Sequence, residues 1–253
     1  MVLCWRSSEC VTVLHKRQVV PEAFDDLASY DPQAQRSRRD LQRVHRAMGS
    51  IGWLKQAIVR LRMARPPTTL IELGAGDGSL MLRLARVVRP QLKGVALTLL
   101  DRHRIVDSLT LQAFDELGWH TTVVCQDAVE WAQSTERARY DLCFATLFLH
   151  HFRDRPLEGL LNGISIRSHA VIAIEPRRDA LASMGSRLVG LLGANAVTRE
   201  DAVKSVAAGF AAHEIGARWP AQEDGWWTDE FHAWPFSHAF LAIRTSARAE
   251  CTQ

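Results

Sequence analysis

From Thr68 onward, short apolar runs alternate with longer amphipathic stretches. The runs at 68–73, 94–100, 121–125, 140–146 and 169–174 are of strand length and rich in Val, Ile and Leu, as expected of strands covered on both faces. Helical spacing fills the intervals and predicts helices over 78–89, 103–118, 127–133 and 155–164. This alternation specifies a parallel sheet with helices on both sides. Ahead of it, Leu41, Val44, Met48, Ile51 and Leu54 recur at helical spacing, so 21–66 reads as a helical extension closed by Pro66-Pro67. Residues 1–20 show no period. After Glu175-Pro176, helical patterns cover 178–192 and 199–208, and strand-like runs at 214–219 and 236–244 flank a tryptophan-bearing loop over 220–235. With no repeat and no second domain, the expected organisation is an irregular 1–20, the extension, one α/β domain over 67–246, and a tail over 247–253.

The first run, Leu70-Ile71-Glu72-Leu73, delivers Gly74-Ala75-Gly76-Asp77-Gly78 directly into the helical pattern that starts at Ser79. A strand, a glycine turn and a helix N-terminus together let the backbone approach a ligand closely. The spacing is GxGxG rather than the GxGxxG of dinucleotide binders. The second run ends at Asp101, where an acid is placed to accept hydrogen bonds from two ribose hydroxyls. The third is followed by Asp127-Ala128, and the fourth opens into Thr146-Leu147-Phe148-Leu149-His150-His151-Phe152.

In that order these segments resemble the motifs of the class I S-adenosylmethionine-dependent methyltransferases, in the small-molecule branch that acts on quinone and polyketide-type acceptors. The resemblance spans roughly 68–175. It implies a doubly wound, mostly parallel Rossmann-like sheet with an antiparallel C-terminal edge strand, and S-adenosylmethionine as cofactor. It places Glu72, Gly74, Ala75, Gly76, Asp77, Gly78, Asp101, Arg102, Asp127, Ala128, Thr146 and Leu147 around the cofactor, with Glu72 toward the methionine ammonium and Asp127-Ala128 toward the adenine. Asp77 either meets the cofactor or caps the following helix.

Candidate chemistry gathers past the carboxyl ends of the strands, where ligands bind in such sheets. His150 and His151 lie there. A histidine beside a methyl donor serves as a general base; the alternative is that the pair hydrogen-bonds the backbone and shapes its loop. Phe148 and Phe152 are placed to wall an acceptor pocket. Arg177 or Arg178 would hold a carboxylate or phenolate of the acceptor, or else decorate a helix start. Trp219, Trp226, Trp227 and Trp234 either line an aromatic pocket or staple the terminal hairpin onto the sheet. Asp141 begins its strand, at the end away from the site.

Composition narrows the reading further. The net charge is +3, yet between Gln33 and Pro67 nine Arg or Lys face the single acid Asp40. That face is either simply solvated or attracts an anionic substrate, an acidic partner or RNA. With no aromatic interleaving, nucleic acid is the less favoured partner, behind a small-molecule methyl acceptor. The five cysteines form no CxxC pair, and no acid–histidine set of the metal-dependent catechol type is evident, so no metal is invoked. Cys125 and Cys143 read as inert core thiols. No membrane span and no secretory leader are evident, which points to the cytoplasm. The exocyclic-amine box and the Pro-Cys nucleophile of base methyltransferases are absent after the fourth strand. A hydroxyl or activated ring carbon of a phenolic, quinone or polyketide-like molecule is the expected acceptor. A nicotinamide reductase is disfavoured, because neither Tyr30 nor Tyr140 is followed by xxxLys. An RNA or protein methyltransferase and a non-catalytic scaffold remain as alternatives. Oligomeric state is not legible.

Overall fold

A computed structural model describes residues 16–23, 31–135, 138–220 and 225–249. Readings made for 1–15, for 24–30 within the extension, and for 250–253 of the tail lie outside these residues. The strands are β1 (Thr69–Leu73), β2 (Ala96–Asp101), β3 (His120–Cys125), β4 (Tyr140–Thr146), β5 (Ser168–Pro176), β6 (Trp226–Ala233) and β7 (Ser237–Arg244). They form one sheet in the order β3-β2-β1-β4-β5-β7-β6. The first five strands are parallel. β7 runs antiparallel between β5 and β6, so the antiparallel strand expected at the edge is covered by one more hairpin partner. Strand order reverses between β1 and β4, and the crevice outside their carboxyl ends is where such sheets take ligands.

The helices are α1 (Pro32–Ala47), α2 (Ser50–Leu61), α3 (Ser79–Val88), α4 (Ser108–Glu116), α5 (Ala128–Gln133), α6 (Asp154–Arg167), α7 (Ala180–Arg187) and α8 (Ala196–Ala208). Alternate side chains of each strand enter opposite cores. Leu70, Leu97, Leu142 and Ile172 pack with α2, α3 and α4, whereas Ile71, Cys143, Val171 and Ala173 pack with α5 and α6. Burying both faces is what makes these runs continuous rather than alternating. At the amino end of the sheet, Asp141 Oδ2 accepts from Thr68 N (2.8 Å), Thr69 N (3.0 Å) and Thr68 Oγ1 (3.0 Å). It ties β4 to β1 far from the carboxyl ends.

Two expectations need correction. Residues 226–233 are a strand, and 216–218 are only a short 3-10 turn. Polar side chains fill β6 (Thr228, Asp229, Glu230, His232), masking its period. The buried side chain of Glu230 is satisfied from outside the strand, by Ile215 N (3.1 Å), Gly216 N (2.8 Å) and His238 Nε2 (2.7 Å). Cys125 is exposed while Cys143 is buried, because β3 is an edge strand with only one neighbour. The tryptophans serve the hairpin. Trp219 meets Trp226 edge-on at 5.1 Å, Arg248 stacks on Trp227 at 3.8 Å, and the exposed Trp234 receives Trp53 Nε1 on its carbonyl oxygen. The extension's arginines are partly used within the fold: Arg43 pairs with Asp40 at 2.6 Å and Arg60 with Asp229 at 2.5 Å. Among the described residues no helix is long and apolar enough to cross a membrane.

Candidate active site

A cavity of about 680 Å³ opens at the carboxyl ends of β1, β2, β4 and β5 and runs beneath α1, α7 and α8. That size suits a nucleotide-like cofactor together with a small acceptor. One end is formed by the glycine turn. Gly74, Gly76 and Gly78 all have positive φ (67°, 55° and 73°), the region where side chains are disfavoured. Each has a different reason to lack one. A Cβ on Gly74 would lie within 2.9 Å of three ring atoms of Phe148. One on Gly78 would press on Leu99, so that glycine serves helix–strand packing and does not line the cavity. Around Gly76 nothing lies within 4 Å, leaving a cradle that a Cβ would fill.

Charged groups surround that cradle. Asp101 Oδ2 accepts from Gly76 N at 2.9 Å and Oδ1 from His103 N at 2.8 Å, which fixes the carboxylate while leaving lone pairs for further donors. Asp77 caps α3, its Oδ1 accepting from Ser79 N at 3.0 Å, and it also lines the cavity, where Oδ2 receives Gln42 Nε2 of α1 at 3.0 Å. Glu72 is buried, and its Oε2 has no partner. Burial first, then the nearby Asp77 and Asp101, push its carboxyl well above the usual carboxylate range. A cationic donor at that oxygen would relieve the cost of burial. Asp127 caps α5 through Val129 N and Glu130 N and lines the cavity beside Ala128, Ala75 and Arg102. Thr146 and Leu147 line it too, with Leu147 at a left-handed φ of 52°. Such strain in a non-glycine residue clusters at functional sites.

The other end is built on Glu175, at the end of β5. Its fully buried carboxylate accepts from Phe148 N (3.0 Å), Leu149 N (2.8 Å) and His150 Nδ1 (2.7 Å). It thereby holds the loop after β4 and sets the tautomer of His150. The far nitrogen of that ring, Nε2, lies 3.5 Å from Glu22 Oε1. Burial lowers the proton affinity of His150, but the two carboxylates outweigh it and push the pKa up to about 9. Glu22 responds in kind: burial raises its pKa, and the facing histidines lower it further, below the usual range. His151 lies beside His150, ring centroids 4.2 Å apart. Phe148 and Phe152 meet edge-on at 5.1 Å and line the same end. The ligand atoms of Glu22, His150 and His151 lie within 4.8 Å of one another, a set sequence reading did not contain.

Glu22 arrives on a segment strapped across α8 and the loop after β4. Arg17 donates to Ala208 O and Phe152 O and stacks on Phe210, and Ala23 N donates to Asp201. No sequence signal marks Glu22. Glu175 carries one, as a strand-end acid before Pro176 and the two arginines beyond it. Those turn elsewhere: Arg177 pairs with Asp179 at 2.8 Å and does not line the cavity, and Arg178 is buried against Glu214. An expected acceptor-binding role for Arg177 is therefore not what the structure brings together.

No family model and no curated protein matches the sequence. Among solved structures, the plantazolicin methyltransferase BpumL in complex with SAH superposes with a TM-score of 0.61 at 12% identity, over 85% of this chain and 91% of that one. The same enzyme with a monoazolic desmethylPZN analog and SAH gives 0.57 at 14%, over 83% and 90%. An O-methyltransferase family protein from Burkholderia thailandensis gives 0.62 at 15%, over 96% of this chain and 68% of that one. The fold is that of the S-adenosylmethionine-dependent methyltransferases. At such identities the likeness carries architecture, and the chemistry must come from the side chains.

Proposed function

We propose that this chain is a methyltransferase that uses S-adenosylmethionine to methylate a hydroxyl or activated carbon of a small organic acceptor of phenolic, quinone or polyketide-like character. The observation that carries the reading is the buried Glu72 oxygen without a partner, beside the open cradle at Gly76, in one cavity with the His150–Glu175 pair. Neighbours of the same fold were solved with SAH, in keeping with that cofactor.

When bound, the cofactor supplies a methyl group on a sulfonium, a leaving group that already carries its charge. The protein's task is then alignment and exclusion of water. Glu72 meets the ammonium, Asp101 the ribose hydroxyls, and the Gly74–Gly78 turn lets the backbone close on the ligand. Asp127, Ala128, Thr146 and Leu147 complete that end. Phe148 and Phe152 wall the acceptor, and His150 and His151 meet its nucleophilic atom. Nδ1 of His150 is tied to Glu175 and its buried Nε2 faces Glu22, so the ring acts as a base only in its neutral form, through Nε2. Glu22 and Glu175 outnumber the one protonated imidazole between them, so this end disfavours anionic acceptors. The test is turnover. The chain, incubated with S-adenosylmethionine and a panel of phenols and hydroquinones, is expected to form S-adenosylhomocysteine (SAH) in an acceptor-dependent way, and His150→Ala is expected to abolish this with SAH affinity retained. Equal turnover by that variant would remove His150 from the mechanism.

A further inference from the structure

The Glu22, His150 and His151 cluster has the features of a coordination site. Around an ion with metal–nitrogen distances of about 2.0 Å, tetrahedral ligands stand roughly 3.3 Å apart. Glu22 Oε1 and His150 Nε2 are already 3.5 Å apart, and all three side chains have ligand atoms within 4.8 Å of one another. His150 Nδ1 is hydrogen-bonded to the buried Glu175 at 2.7 Å. That is the outer-shell arrangement that orients metal-bound imidazoles and raises their basicity. His150 Nε2 is buried and has no partner of hydrogen-bonding geometry. The same Glu22 Oε1 accepts from Ser205 Oγ at 2.5 Å, which fixes its position.

We propose that Glu22, His150 and His151 bind one divalent transition-metal ion of the zinc class, with a coordination position left open toward the cavity. Two imidazoles and a carboxylate favour such an ion over magnesium or calcium, which take oxygen ligands. With both imidazoles neutral, Glu22 and Glu175 together match the charge of a divalent ion. Three protein ligands with an open fourth position mark a catalytic rather than a structural site. The ion's role rests on the methyltransferase reading. The acceptor's oxygen takes the open position, its O–H proton passes to bulk water, and the resulting oxyanion is held by the ion. In that state His150 is a ligand in place of a proton acceptor.

The site is tested without turnover. The full chain, stripped with a chelator, is titrated with Co²⁺ as an optical probe and with Zn²⁺ by calorimetry, and SAH is titrated in parallel. One equivalent of Co²⁺ is expected to bind with the visible absorption of a low-coordinate site. Glu22→Gln and His151→Ala are each expected to weaken it at least about tenfold, and Glu175→Gln by about 10–100-fold, with SAH affinity unchanged in Glu22→Gln. Absence of the absorption band, or binding indifferent to Glu22→Gln and His151→Ala, would overturn the proposal. Metal binding without SAH binding would keep the site and discard the methyltransferase reading, and the converse would do the opposite.

Discussion

Gly74→Ala and Gly76→Ala separate packing from ligand space within one turn. Both residues sit at similar positive φ, 67° and 55°, so a side chain costs about 1–2 kcal/mol of backbone strain at either position. What the new methyl meets differs. At Gly74 it falls within 2.9 Å of three atoms of the Phe148 ring, and at Gly76 it meets nothing within 4 Å. Overpacking adds about 1–3 kcal/mol at Gly74 alone. With a urea m-value of about 2 kcal/mol/M, Gly74→Ala should unfold roughly 1 M earlier than Gly76→Ala. The order of ligand loss is different. Gly76→Ala should fold well yet lose SAH affinity by about a hundredfold, about 2.7 kcal/mol, because the methyl occupies the cradle beside the Asp101-bound N–H. Urea melts and calorimetry on both variants decide it. Equal midpoints, or parent-like SAH affinity in Gly76→Ala, would refute the reasoning.

Glu72→Gln should keep or raise the melting temperature, since it removes a buried carboxylate with an unpartnered oxygen. It should weaken SAH by about 1.5–3 kcal/mol through the lost charge-assisted hydrogen bond; an earlier melt with unchanged affinity would contradict this. His45 lies under the cavity with its pKa lowered to about 4, chiefly by burial and then by Arg83, against Asp77. The unfolded chain therefore binds the extra proton between pH 6.5 and 4, and stability falls as pH falls through that window. The loss is at most about 3 kcal/mol, the ring being partly exposed. Urea melts of His45→Gln should show a smaller loss over that window, and an identical loss would count against the assignment. Burial pushes the Cys143 thiol up to about 12, while Cys125 is exposed. Alkylation mapped by mass spectrometry should label Cys125 in the native chain and Cys143 only after unfolding.

The parallel core was legible because burial on both faces writes continuous apolar runs, and each of β1 to β5 lies within two residues of its expected place. β6 was not, because its buried polar groups are satisfied by partners distant in sequence, as Glu230 is by Gly216 and His238. The glycine-turn end of the cavity was equally readable: its turn, its acids and its glycines are contiguous or strand-terminal. The end around Glu175 was only half so. His150 and His151 stand together in the chain, but Glu175 reaches them across the β4–β5 pairing and Glu22 by way of an aperiodic segment held by Arg17. Tertiary encounters of that kind leave no local pattern.

The central claim is that this cavity binds the methyl-donor class of cofactor, and it is tested most directly by calorimetric titration of the purified chain with SAH beside NADH. The account predicts one-to-one micromolar binding of SAH and none of NADH. Binding of NADH, or of neither, would contradict it.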